Sequence, residues 1–232
     1  KEGAKVLLCS EAARRYLPQG ADAVVTGNPL NPQFLTLDRQ AARQQLSLDE
    51  RPLVLSFGGS LGARAINEAM TGVLQQSHAA GRLQHIHGTG KSGYAAMTQA
   101  LEAAGVPLCG DGIAVREYID DMPRCMAAAD LVICRCGAMT LSELPAAGKP
   151  AILIPSPYVA ENHQYHNAMV LVEKGAAVCI EEKDLTADRL WQTVREITDD
   201  PARLQIMAEN MRSAAVLDAD ERILAVIREK LK

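Results

Sequence analysis

The sequence predicts a doubly wound α/β fold, a mostly parallel sheet with helices on both faces. Three observations carry this expectation. Short β-rich runs alternate with longer stretches of helical periodicity along most of the chain, the pattern of strand–helix–strand units. The runs "LVIC" (131–134) and "AILI" (151–154) are apolar without alternation, as strands covered on both faces are. Several runs end in glycine- or proline-rich turns that open a helix, which is where such sheets bind ligands.

Taken in order, "KVLLC" (5–9) predicts a first strand. "VVTGNPLNPQFL" (24–35) packs Gly27, Pro29 and Pro32 into a short span and reads as a linker, because glycine and proline punctuate regular structure. A helical pattern at 38–46 follows, and regular alternation then begins. "LVLSF" (53–57) predicts a strand and 62–79 a helix. "LQHIH" (83–87) leads to a helix at 92–104, and "IAVRE" (113–117) to one at 121–129. "LVICR" (131–135) leads to 138–147, and "AILIP" (151–155) to 162–174. "AAVCI" (176–180) precedes helical patterns at 186–197 and 201–213, and an amphipathic pattern at 218–231 predicts a last helix. The expected organisation is therefore a tail of a preceding domain (1–25), a linker with a connecting helix (26–49), one doubly wound domain (50–217) and a carboxyl-terminal helix (218–232). The chain opens on "KEGAKVLLCSEAARRYLP" without an initiator methionine, and this abrupt start inside a strand predicts a fragment.

Composition narrows the function classes. The 232 residues are 48% hydrophobic, enough for one good core. A net charge of -4 leaves no electrostatic footprint for nucleic acid. Lysine and arginine are scattered, without a polybasic run for an anionic membrane. Aromatic residues make up 3%, too few for base-stacking platforms. Six cysteines occur without a CxxC pair and read as buried free thiols of a reducing compartment rather than a disulfide scaffold. Neither a signal peptide nor an apolar run near 20 residues is seen.

Four strand-end loops carry candidate chemistry. Gly58-Gly59-Ser60-Leu61-Gly62 joins a buried strand to a helix. Glycines let a ligand approach the backbone, the helix start offers unpaired amides, and Ser60 adds a hydroxyl, which together suit a phosphate or pyrophosphate. A plain strand–helix turn is the alternative. The loop is neither a Walker loop nor the usual dinucleotide fingerprint. In "CRCGAMTLSE" (134–143), Cys134 and Cys136 share a strand face, but no further ligands stand at metal-binding spacing. Gly137-Ala138 makes a second tight turn, with Thr140 and Ser142 in the first helical turn and Glu143 behind them. Glu143 suits a helix cap, or serves as a double acceptor for a vicinal diol such as a ribose 2′,3′ pair. Arg135 is placed to pair with Glu143 or with a phosphate. In "IPSPYVAENHQYHNA" (154–168), Asn162, His163, Gln164, His166 and Asn167 offer hydrogen bonds to a neutral, hydroxyl-rich ligand. In "REYIDDM" (116–122), Asp120 and Asp121 suit a helix cap, and Ile119 could set a backbone amide against a base. No metal site is expected.

"TGNP", "GGSLGAR", "YIDDM", "ADLVICRCGAMTLSELPAAGKPAILIP" and "NHQYHNA", in this order, resemble the carboxyl-terminal half of the MurG family. These are GT-B enzymes of glycosyltransferase family 28, built from two Rossmann-like domains. The resemblance covers essentially the whole chain. It implies transfer of N-acetylglucosamine from UDP-N-acetylglucosamine to a lipid-linked muramyl-pentapeptide in peptidoglycan synthesis, by an inverting mechanism. UDP-N-acetylglucosamine is then the donor substrate, and no tightly bound cofactor is expected. The implied location is the cytoplasmic face of the plasma membrane, peripherally bound. By the same resemblance Ser60 contacts phosphate and the Ile119 backbone meets uracil. Ala138, Met139, Thr140, Leu141, Ser142 and Glu143 surround the nucleotide, with Glu143 on the ribose. Gln164 reads sugar hydroxyls and Arg135 belongs to the same site. Gly59, Arg64, His163 and Asn167 are further candidates. Two departures stand out. Leu30 and Asn31 follow "GNP" where many members carry an arginine, with Arg64 as a candidate substitute, and Cys136 stands where many have serine. The acceptor loops and the catalytic base are expected in an absent amino-terminal domain, so this chain alone should bind donor and transfer little. The rival readings are another UDP-sugar GT-B enzyme (a glycolipid glycosyltransferase or an epimerase) and a donor-binding subunit that works with a separate acceptor subunit.

Overall fold

In the computed structural model residues 4–231 are described; residues 1–3 of the segment 1–25 and residue 232 of the segment 218–232 lie outside the described residues. β1 (Val6–Leu8) and β2 (Ala23–Val25) pair in parallel as a separate two-stranded sheet. The sequence signals the first of these strands. The second overlaps the start of the 24–35 motif, whose glycine and prolines read as a linker, so no strand is expected there. The linker carries α1 (Gln33–Thr36) and α2 (Arg39–Gln45), the latter capped by Asp38, whose carboxylate accepts from the Ala41 amide at 2.9 Å. From α2 the buried Arg43 reaches the sheet, donating to the Ala128 carbonyl and to Asp130, both at 3.2 Å.

The main sheet contains β3 (Leu53–Phe57), β4 (Gln84–Gly88), β5 (Cys109–Gly110), β6 (Ile113–Arg116), β7 (Leu131–Cys134), β8 (Ala151–Leu153) and β9 (Ala177–Cys179). Their spatial order is β5-β6-β4-β3-β7-β8-β9. Every neighbouring pair is parallel except β5–β6, where a two-residue edge strand, absent from the sequence expectation, runs antiparallel.

Helices α3 (Arg64–Ala80), α4 (Lys91–Ala103) and α8 (Ala187–Thr198) cover one face, with Ile66, Met70, Leu74, Leu101 and Val194 in its core. The opposite face is covered by α5 (Met122–Ala128), α6 (Thr140–Ala147) and α7 (His163–Glu173), with Cys125, Met126, Leu144 and Leu171 in its core. Successive strand residues point to opposite faces, so Leu53, Leu55 and Phe57 of β3 enter the second core while Val54 enters the first. Both faces being apolar, no alternation survives in the sequence. α9 (Pro201–Ser213) and α10 (Ala219–Lys230) complete the chain, and Lys5 beside β1 pairs with Glu229 of α10 at 3.3 Å.

Strand order reverses between β3 and β7: β4 and β6 continue to one side, β8 and β9 to the other. The loops leaving these two strands diverge at their carboxyl ends and open a crevice, the usual ligand position of such sheets. Among the described residues no helix is long and apolar enough to cross a membrane.

Candidate functional site

One wall of the crevice is the glycine loop after β3. Gly62 has a left-handed φ of +78°, and its amide donates to the Gly59 carbonyl at 3.0 Å. A Cβ there would lie 2.0 Å from the Thr89 carbonyl oxygen, so only glycine lets this loop lie on the β4–α4 turn. α3 then opens with no side chain bonded to its first amides. Unpaired amides at the positive end of a long helix attract an anion. The Ser60 hydroxyl, at the mouth, has no hydrogen-bond partner among the described residues.

The facing wall is the turn after β7. Cys134 and Cys136 are fully buried, and burial raises both thiols well above the ordinary range, so neither acts as a thiolate. α6 starts at Thr140 without a side-chain cap, so Glu143 does not cap it. The Glu143 carboxylate is half-buried and makes neither hydrogen bond nor ion pair among the described residues. Burial pushes its pKa up. From the linker, Asn28 Nδ2 donates to Ser142 Oγ at 3.0 Å and to the Ala138 carbonyl at 3.4 Å, tying the start of α6 in place.

Two polar side chains from the far end of the crevice are fixed by backbone. Arg135 Nη1 donates to the carbonyls of Ile154 (3.2 Å) and Pro155 (3.1 Å), and Nη2 pairs with Glu182. Of the two partners expected for Arg135, Glu143 or a phosphate, the first is corrected: Arg135 pairs with Glu182, after β9, and not with Glu143. Gln164 Oε1 accepts from the amides of Cys136 (3.3 Å) and Ser156 (2.9 Å). Its Nε2 is thus left to donate outward. His163 Nδ1 donates to the Ala160 carbonyl at 3.0 Å. Among the described residues no group of three His, Cys, Asp or Glu side chains could hold a metal ion. Asp121 does cap α5, accepting from the Arg124 amide at 3.4 Å.

Two adjoining cavities fill the crevice. One of about 430 Å³ is bounded by Phe57, Ser60, Ile119, Met139, Thr140 and Glu143. The other, of about 790 Å³, also touches Phe57, Gly59, Ser60 and Thr140, and extends to Arg64, Arg135 and Gln164. An acceptor carboxylate thus stands at one end, an amide-rich helix start in the middle and an amide donor at the other end.

Residues 53–223 match the family described as Glycosyltransferase family 28 C-terminal domain. The chain belongs to this family. Its curated relatives include proteins named UDP-N-acetylglucosamine--N-acetylmuramyl-(pentapeptide) pyrophosphoryl-undecaprenol N-acetylglucosamine transferase. That of Acetivibrio thermocellus is 38% identical over 229 residues, covering 98% of this chain and 61% of the relative. That of Desulfitobacterium hafniense is 43% identical over 206 residues, covering 88% and 55%. The chain therefore spans less than two thirds of the length of these relatives. The crystal structure of Acinetobacter baumannii MurG superposes with a TM-score of 0.73 at 29% identity, over 92% of this chain and 57% of that one. S. aureus MnaA, solved with UDP, shares the fold alone, with a TM-score of 0.66 at 17% identity over 92% and 56%.

Within this family 28 domain the expected site residues fall into two groups. Gly59, Ser60, Arg64, Ile119, Arg135, Met139, Thr140, Glu143 and Gln164 line the two adjoining cavities. Ala138, Leu141, Ser142 and Asn167 line a third cavity of about 240 Å³, between the start of α6, α7 and the linker. His163 lines none of the three. The sequence reading missed Tyr118, Tyr158 and Glu182, which also line the crevice. Glu182 follows the last strand of the sheet, so the rule that ligands sit at strand ends was its one available signal.

Proposed function

We propose that this chain is the donor half of a glycosyltransferase that binds UDP-N-acetylglucosamine in the β3–β7 crevice. One observation carries the reading. The half-buried, unpartnered Glu143 carboxylate faces the same cavity as Ser60 and the glycine loop. A carboxylate with both oxygens free complements a vicinal diol, and the neighbouring helix start complements a diphosphate. In this reading the uracil lies by Ile119 and Met139, the ribose on Glu143, the diphosphate by Ser60 and the first turn of α3, and the sugar near Gln164. Gln164 Nε2 then donates to a sugar oxygen. Arg135 and Glu182 hold the 154–164 loop. Ala138 and Ser142 support the site through the Asn28 contacts, and Leu141 lines the neighbouring cavity.

The names of the relatives support N-acetylglucosamine as the transferred sugar and a lipid-linked muramyl-pentapeptide as acceptor; that the two meet at the cytoplasmic membrane face is part of this proposal. In the reaction an acceptor hydroxyl attacks the anomeric carbon. The bond to the diphosphate oxygen breaks, its electron pair leaves with UDP, and the hydroxyl proton passes to a base. Amides and the Ser60 hydroxyl stabilise the growing diphosphate charge. We place that base, and the acceptor, on the side of β1 and β2, whose sheet stands apart from the donor sheet, and read residues 1–25 as part of an acceptor domain.

Isothermal calorimetry with UDP tests this. The chain should bind UDP, and Glu143→Ala should weaken binding at least about tenfold, the loss of a charge-assisted bond to the ribose. Unchanged affinity in that variant would sink the ribose assignment.

A further inference from the structure

We propose that His87 and Asn67 form a positioning pair for the anion end of the site, a buried hydrogen-bond chain that sets the glycine loop against the β4–α4 turn. This inference rests on the nucleotide reading above. The sequence presents "HIHGTGK" (85–91) only as a small-residue turn after a strand, and neither histidine has a part in the proposed chemistry.

The chemistry of the chain fixes each proton. A backbone carbonyl can only accept, so the Asn67 group facing the Thr89 carbonyl at 2.8 Å is Nδ2. Asn67 Oδ1 then faces His87 Nε2 at 3.2 Å and can only accept. Nε2 therefore carries the imidazole proton. His87 Nδ1 is left as an acceptor, and the Ser56 hydroxyl donates to it at 2.7 Å. Ser56, His87, Asn67 and Thr89 are all buried, where a polar group left unpaired is costly. Burial also holds the imidazole neutral, its pKa pushed down to about 4, so this one tautomer persists at neutral pH.

The far end of the chain is where the site begins. The Thr89 carbonyl is the atom that a Cβ on Gly62 would meet at 2.0 Å. A Cβ on Gly90 would lie 2.4 Å from the Gly62 nitrogen and from the Leu61 carbonyl oxygen, and one on Gly93 would lie 2.0 Å from Asn67 Nδ2. Three glycines thus let two backbones and the Asn67 amide meet. Gly59, Ser60 and Gly90 line the same cavity, so a displaced Thr89 carbonyl displaces the loop that would meet the diphosphate. His85 is a built-in comparison. It is equally buried and two residues earlier on β4, but its ring bonds only Ser77 of α3, at 2.7 Å, far along the helix from the loop.

The test compares UDP with uridine, which lacks the phosphates, titrated into the full 232-residue chain. His87→Phe keeps a ring and removes both bonds. It should weaken UDP about tenfold, the scale of one hydrogen bond, and change uridine affinity less than about twofold. His87→Gln, whose amide can donate to Asn67 Oδ1, should restore UDP affinity to within about threefold of the unsubstituted chain. His85→Phe should lower the melting temperature and leave both affinities in place. Equal losses for UDP and uridine, or no loss for UDP in folded His87→Phe, would overturn the proposal. If His87→Phe does not fold, Asn67→Ala carries the same comparison. If neither folds, the network is a folding element and the proposal is wrong. Absence of UDP binding by the unsubstituted chain is a different result, which removes the nucleotide reading and this inference with it.

Discussion

Glu143 is the residue on which the proposed donor site turns, and its environment gives it a distinctive pH response. Burial raises its pKa above the ordinary 4.5 because desolvation disfavours the charged form. Ionisation of this carboxyl in the folded chain is therefore unfavourable, and its contribution to stability improves as pH falls through the raised value. Ligand binding runs the other way, since protonation removes one of the two acceptors that a diol needs. UDP affinity should drop on acidification at a pH above 4.5, and Glu143→Gln should bind weakly throughout with that step missing. Calorimetry between pH 8 and pH 5 reads the difference. The ligand's own phosphate ionisation, near pH 6, is common to both proteins, so parallel profiles would refute the assignment. Arg135 behaves differently. Its side chain and that of Glu182 are each 15% exposed, so Arg135→Ala leaves a nearly buried carboxylate alone and should cost about 3 kcal/mol in urea unfolding. The type and place of both residues were legible in "CRCGAMTLSE". The partner of Arg135 was not, because Glu182 lies 47 residues away in sequence and only the β7–β8–β9 order brings it near.

At the scale of elements, two glycines of one loop separate ligand space from structural contact. Gly59 has φ +89° and open space where a Cβ would be. Gly59→Ala therefore costs only backbone strain, about 1 kcal/mol, and places a methyl group beside the cavity. Gly62→Ala forces its Cβ onto the Thr89 carbonyl and should destabilise by more than about 3 kcal/mol. Thermal melting with UDP titration should find Gly59→Ala folded with impaired binding and Gly62→Ala damaged in both. Equal melting temperatures would contradict the packing argument. Helix α6 shows why the run 138–143 divides. Residues three and four apart share a helix face, so Met139, Thr140 and Glu143 meet the crevice cavity proposed for the nucleotide while Ala138, Leu141, Ser142 and Pro145 meet the other. That spacing was readable in the sequence. Which face looked inward was not, because it depends on the linker's Asn28 crossing to Ser142. The strand β2 was hidden because the glycine- and proline-rich run 24–35, which reads as a linker, begins inside it, and β5 because its two residues are too few for any period.

The whole molecule carries two buried neutral histidines on its central sheet, and they set its acid response. Burial pushes His85 down to about 3 and His87 to about 4 from the ordinary 6.5. The unfolded chain takes up protons below pH 6.5 that the folded chain refuses. Stability is therefore lost as pH falls from 6.5, approaching about 2.7 kcal/mol per pH unit for the pair. Denaturant unfolding at pH 7, 6 and 5 should show this slope, and removing either histidine should roughly halve it. A flat profile would contradict their burial. The carboxylates held low by arginines, Asp49 and Asp218, lose their contribution only below their ordinary range, in a separate window. By itself the sequence determined the fold class, the chain order of the parallel strands of the main sheet with their helices, and the glycine and carboxylate turns at strand ends, because periodicity and turn chemistry are local. Only the tertiary structure decided which strand ends face each other, which residue pairs with Arg135, and that Asn67 joins His87 to the Thr89 carbonyl against which Gly62 of the glycine loop lies. Those outcomes follow from the reversal of strand order between β3 and β7 and from contacts between residues distant in the chain, which no local pattern encodes.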